Sequence, residues 1–141
     1  MPLYRQRGEY HLILLVTLTT MHLKSILIVD DSPIIVDRLQ NMLTGLENVG
    51  PIGQAGDYSS ALSQLSGHTP DIILLDINLP GKSGIALLQY IKTIYSSITV
   101  IMISNQAGEY YRRICRQLGA DHFIDKSTDF EEILPLVSSL L

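Results

Sequence analysis

Three short, unbroken apolar runs constrain this chain more than any other feature: Ser25–Val29 (SILIV), Asp71–Leu75 (DIILL) and Thr99–Ile103 (TVIMI). A strand with one wet face alternates apolar and polar residues. These runs do not alternate, so each needs apolar cover on both faces, as in a parallel sheet flanked by helices. The intervening text supplies the cover. Ile34, Ile35, Leu39, Met42 and Leu43 recur at helical spacing up to Gly45. Asp57–Leu65, Ile85–Tyr95, Glu109–Leu118 and Phe130–Leu140 read as further helices. Pro135 conflicts with the last of these and predicts a kink.

Two weaker strands complete the alternation. Val49–Ala55 is interrupted by Pro51 and Gly53, which suits a sheet edge. Asp121–Asp125 (DHFID) is a short final strand. Strands separated by helices imply right-handed crossovers. The expected fold is a doubly wound α/β domain with a five-stranded parallel sheet, flavodoxin-like order 2-1-3-4-5 and helices on both faces.

Composition narrows the function classes. The chain has 141 residues, enough for one domain with a substantial core. Apolar residues make up 46 % and charged residues 17 %, against about 25 % charged in a usual soluble domain, so disorder is excluded as the main state. With 10 Lys+Arg against 14 Asp+Glu the net charge is −4. That balance, without a basic cluster, argues against nucleic acid as a partner. The single cysteine, Cys115, leaves no internal disulfide. The uncharged span Tyr10–Leu23 holds 14 residues, short of the roughly 20 that a spanning helix needs. No membrane span is expected, and a signal peptide built on Arg5 and Arg7 is disfavoured by the intracellular chemistry of the rest. Cytoplasmic location is the expectation.

In open α/β sheets, ligands gather beyond the carboxyl ends of the strands, where strand order reverses. The residues just after the apolar runs are therefore the candidates: Asp30 and Asp31, Asp76, Ser104 and Lys126. In the 2-1-3-4-5 order, Asp30 and Asp31 fall beside Asp76. Clustered carboxylates repel and need a counter-charge. An all-oxygen set with water suits Mg²⁺, and a carboxylate is a chemically competent phosphoryl acceptor. These residues describe a phosphorylatable aspartate.

SILIVDDS (25–32), IILLDINLPGKSG (72–84), VIMIS (100–104) and DHFIDK (121–126) together resemble the response-regulator receiver domains of two-component signalling. The resemblance runs from about Met21 to Leu141 and leaves residues 1–20 as an N-terminal extension. It implies Asp76 as phosphoacceptor, and Asp30, Asp31, Asp76 and the Asn78 backbone carbonyl as Mg²⁺ ligands. Ser104 would be the switch hydroxyl, Lys126 the phosphate-facing lysine and Phe123 the switch aromatic. Asn78 and Gln106 hold the positions that tune phosphoryl lifetime in the family. The implied donor is a histidine kinase or histidine phosphotransfer protein, and the implied output is contact with a further protein. Two departures stand out. Ser127 follows the lysine where the family usually has proline, and Asn105 is bulkier than the usual residue after the switch hydroxyl.

Singly, these residues have plainer readings. Asp30-Asp31 alone is a helix N-cap and its neighbour, and Asp76 alone a turn residue. Lys126 alone is a solvated lysine, and Phe123 is as readily core as switch. Tyr110, Tyr111, Arg112, Arg113 and Arg116 read as a solvated helix face, and Cys115 as a buried hydrophobe. His11, His22, His68 and His122 lack ligand spacing. Placement after successive buried strands is what favours the functional reading. The chain is thus expected to be a signalling relay and no enzyme. Two rivals are a non-phosphorylated binding module of the same fold, and an aspartyl-phosphate phosphohydrolase, which would want an acid where Asn78 stands. The first 20 residues carry three readings: an artefact of a start that really lies at Met21, an added strand, or an apolar arm promoting a homodimer.

Overall fold

A computed structural model of the protein describes residues 23–141. The readings attached to residues 1–20 and to Met21 lie outside the described residues. The five strands are β1 (Lys24–Val29), β2 (Val49–Ala55), β3 (Ile72–Leu75), β4 (Thr99–Ser104) and β5 (His122–Asp125). They alternate with helices α1 (Pro33–Thr44), α2 (Tyr58–Gly67), α3 (Gly84–Ile94), α4 (Glu109–Gln117) and α5 (Ile133–Leu140). All strand pairs are parallel, and the sheet order is β2-β1-β3-β4-β5, as the alternation implied.

The apolar runs occupy the three central strands. β3 is buried at every position, and β1 and β4 at every position after their first. One side of the sheet presents Leu27, Val29, Ile73, Leu75, Val100 and Met102 to Ala61, Leu65, Leu87, Leu88, Ile91 and Cys115. The other presents Ile26, Ile28, Ile72, Leu74, Ile101 and Ile103 to Leu39, Leu43, Ile133 and Val137. Alternation along each strand thus divides one continuous run between two cores. At the edge, β2 carries one extra residue between its Lys24–Val49 and Ile26–Ile52 pairings. Pro51 sits in that irregular stretch, where a missing N–H costs least.

Local chemistry sets the helix starts. Ser32 caps α1 by accepting from the Ile35 N–H, with Pro33 at the first helical position. Asp57 and Ser60 form a reciprocal capping box at α2. Ser83 caps α3. Pro135 does not occupy a helix interior. Phe130–Glu132 form a separate 3₁₀ turn, and α5 begins only at Ile133. Pro135 therefore falls in the first turn of α5, where a backbone N–H would have no partner inside the helix.

Candidate functional site

Four of the five strands, β1, β3, β4 and β5, deliver a polar residue to one edge of the sheet. Asp30 follows β1, and its N–H donates to the Ala55 carbonyl of β2 (3.0 Å). Asp76 follows β3, and its N–H donates to the Val29 carbonyl of β1 (2.9 Å). The two carboxylates are thereby fixed on neighbouring strands at the reversal point of the sheet. Ser104 ends β4 and pairs with Asp125 of β5. The Lys126 N–H donates to the Ser104 carbonyl (3.0 Å), which anchors the lysine at the same edge.

Asp30, Asp31 and Asp76 place carboxylate oxygens within 4.8 Å of one another. Asp30 and Asp76 are buried at 4 % and 6 % exposure, whereas Asp31 is exposed. Two buried carboxylates this close need a cation. Lys126 provides it, its Nζ lying 2.7 Å from Asp30 Oδ2 and 3.2 Å from Asp76 Oδ2. Backbone donors complete the shell unequally. Asp30 Oδ1 accepts from the Ser32 N–H at 2.9 Å, and Asp76 Oδ1, among the described residues, only from the Asn78 N–H at 3.3 Å. Burial pushes the Asp76 carboxyl above the usual range; Lys126 pulls it down and the Asp30 charge pushes it further up. Of the two buried acids, Asp76 is the more loosely held and the one whose ionised form most needs a further positive partner.

These carboxylates face a cleft of about 420 Å³ lined also by Ser32, Ile35, Asn78, Asn105 and Lys126. The donor set fits a hard divalent cation. All its side-chain ligands are carboxylate oxygens, and a separation of up to 4.8 Å approaches the roughly 4 Å between opposite ligands of Mg²⁺. Asn78 is exposed beside them.

Gly84 holds this arrangement from below. Its N–H donates to the Ile77 carbonyl at 2.7 Å. A Cβ there would stand 1.9 Å from the Asp76 carbonyl oxygen and 2.9 Å from the Ile77 Cα. α3 can approach the Asp76 loop this closely only with glycine at its first position. The motif contains Gly84, but its steric reason becomes visible only with the loop and helix together.

The remaining sequence candidates are separately placed. Ser104 is fully buried, and its Oγ accepts from the Gln106 N–H (3.0 Å). Phe123 is half-buried and packs on the core between the sheet and α2–α4. Asn105 does line the cleft. Where the family usually has proline, the Ser127 N–H and hydroxyl both donate to Asp125 Oδ1 (2.9 and 2.7 Å). Cys115 is fully buried, as its reading required. The plain reading of Arg112 fails. It is half-buried, with its guanidinium 4.9 Å above the Phe123 ring. His68, to which no role fell, faces the hydroxyl of Ser25 at 3.1 Å, at the opposite end of the sheet.

Comparison with known proteins agrees with this fold. The Fimbriae Z protein of Escherichia coli K12 is 30 % identical over 117 residues, 83 % of this chain and 56 % of that protein. The chain thus spans a little over half the length of this curated relative. A CheY-like receiver domain from Methanospirillum hungatei superposes with a TM-score of 0.76 at 26 % identity, covering 84 % of this chain and 93 % of that one. The Mn²⁺-bound form of response regulator Rcp1 gives a TM-score of 0.72 at 25 % identity, over 83 % and 91 % of the two chains. The response regulator receiver domain family matches residues 26–138, nearly the whole described fold. The chain belongs to that family.

Proposed function

We propose that Asp76 accepts a phosphoryl group from a phosphohistidine on a histidine kinase or phosphotransfer protein, and that the modified domain signals through a change of surface. The observation that carries this reading is the set of three carboxylates within 4.8 Å, two of them buried and held by the one Lys126 ammonium. A purely structural role would favour apolar packing over such a cluster, since burying charge costs more than it returns unless fully paired.

Asp76 is the acceptor because it faces the cleft, is the less firmly hydrogen-bonded of the buried acids, and lies beside the cation. One of its carboxylate oxygens forms the bond to phosphorus as the phosphorus–nitrogen bond to the histidine breaks, and the imidazole leaves with that electron pair. Lys126 stays with the Asp30 and Asp76 oxygens and offsets negative charge gathering at the phosphoryl oxygens. Asp30, Asp31, Asp76 and the Asn78 carbonyl would hold Mg²⁺, which when bound supplies further charge neutralisation. Ser104 donates its hydroxyl to a phosphoryl oxygen, and Phe123 follows the loop that carries Ser104. The chain acts in this reading as a signalling relay in the cytoplasm with a protein target, not as a catalyst on an external substrate. Among the described residues no helix is long and apolar enough to cross a membrane.

Intact-mass measurement after incubation with acetyl phosphate and MgCl₂ tests the proposal. The wild type gains one phosphoryl group and Asp76→Asn gains none. An unchanged wild-type mass, or equal labelling of the variant, rejects it in favour of a binding module that keeps the fold alone.

A further inference from the structure

Arg112 stands in the first turns of α4, near the positive end of the helix dipole, where a cation is disfavoured. Its side chain turns back over its own helix start instead of entering solvent. Nε donates to the Ala107 carbonyl at 2.8 Å, and the guanidinium lies 4.9 Å over the Phe123 ring. Gly108 is the N-cap of this helix and offers no side-chain capping hydrogen bond. Two residues, Asn105 and Gln106, link the clamped Ala107 to Ser104. In that span the Gln106 N–H holds Ser104 Oγ at 3.0 Å, so the Ser104 hydroxyl oxygen is engaged by its own loop. Asp76 lies one strand away, since β3 and β4 pair Leu75 with Met102.

We infer that Arg112 is a positioning residue for the switch, a latch that joins the Ser104–Gly108 loop to Phe123 and favours the unmodified arrangement. This rests on the phosphoacceptor reading of Asp76. If Ser104 turns to a phosphoryl group, the loop shifts toward Asp76 and the Ala107 carbonyl leaves Arg112. Phe123 then loses its cationic cover and is free to repack. A contact present in one state only biases the equilibrium by its own free energy. One hydrogen bond and one half-buried cation–π contact correspond to roughly a ten-fold bias.

The chain has two phenylalanines, Phe123 and Phe130, so incorporation of 4-fluorophenylalanine gives one reporting and one reference resonance. Phe130 lies in the other core, under Arg38. Full-length wild type, Arg112→Ala and Arg112→Lys are titrated with beryllofluoride, a phosphoryl mimic, in the presence of Mg²⁺. The midpoint of the Phe123 transition falls about ten-fold in Arg112→Ala. Lysine does not restore it, because it lacks the planar group and the Nε donor, and the Phe130 line stays fixed. An Arg112 role confined to stability lowers the melting temperature and leaves the midpoint in place, which overturns the latch. Parallel acetyl phosphate labelling separates the two levels of inference. Labelled wild type with an unmoved Arg112→Ala midpoint rejects the latch alone; unlabelled wild type rejects both.

Discussion

Replacing Lys126 by methionine keeps an unbranched apolar stem and removes the cation facing two carboxylates whose side chains are 3 % and 7 % exposed. Breaking such a buried pair from one side costs about 3–5 kcal/mol. Proton uptake limits the loss. Asp30 keeps its 2.9 Å backbone donor, so Asp76, with a single 3.3 Å donor, takes the proton. Holding one carboxyl neutral costs about 4 kcal/mol at pH 7 and about 1.5 kcal/mol at pH 5, relative to an unfolded carboxyl titrating near pH 4. The sign follows from the raised Asp76 value in the wild type. The folded state holds this proton more tightly than the unfolded state, so stability falls as pH rises from the unfolded value through the folded one. Lys126→Met raises the folded value further and extends that window upward. Urea unfolding followed by far-ultraviolet circular dichroism, which suits a chain without tryptophan, measures the difference at each pH. The expected destabilisation approaches 4 kcal/mol at pH 7 and shrinks below about 1.5 kcal/mol at pH 5, with partial recovery in MgCl₂. A loss of equal size at both pH values, or none, refutes the electrostatic account of the site.

Three further outcomes follow from particular contacts. Gly84→Ala drives a methyl group to within 1.9 Å of the Asp76 carbonyl, so it costs about 3 kcal/mol or more and lowers the melting temperature by roughly 10 °C; an unchanged melting temperature contradicts the close approach. Asp31→Asn alters an exposed side chain, so urea stability stays within about 0.5 kcal/mol, while calorimetric titration shows at least a ten-fold weaker affinity for Mg²⁺. Pro135→Ala leaves stability within about 1 kcal/mol, because the ring occupies the first turn of α5; a gain of several kcal/mol would reveal the interior clash that the sequence pattern suggested.

The fold was legible because three strands are buried on both faces, and only a parallel sheet under helices asks for unbroken runs such as IILL at 72–75. The polar residues after the runs mark one edge of the sheet, and the structure brings Asp30, Asp31, Asp76 and Lys126 together there. Contacts between residues distant in the chain and joined only by the fold were not legible. Nothing in the spacing of Arg112 within its helix reveals Phe123 beneath it, since that ring comes from β5. The resemblance makes Lys126 the phosphate-facing lysine, yet its shorter contact is with Asp30, a placement decided by the strands. Pro135 looked like a helix interior because the 3.6-residue period runs through Phe130. The 3₁₀ turn that precedes α5 keeps apolar residues on the same side and is hidden in that pattern.

The central claim, that Asp76 carries the phosphoryl group, is tested most directly by locating the modification. An acyl phosphate on aspartate is reduced by borohydride to homoserine, which marks the modified residue permanently. Peptide mapping of the acetyl phosphate-treated, borohydride-reduced protein should find homoserine at position 76 and aspartate at positions 30 and 31. Homoserine at Asp30 or Asp31, or at no position in a protein that has gained phosphoryl mass, contradicts the account.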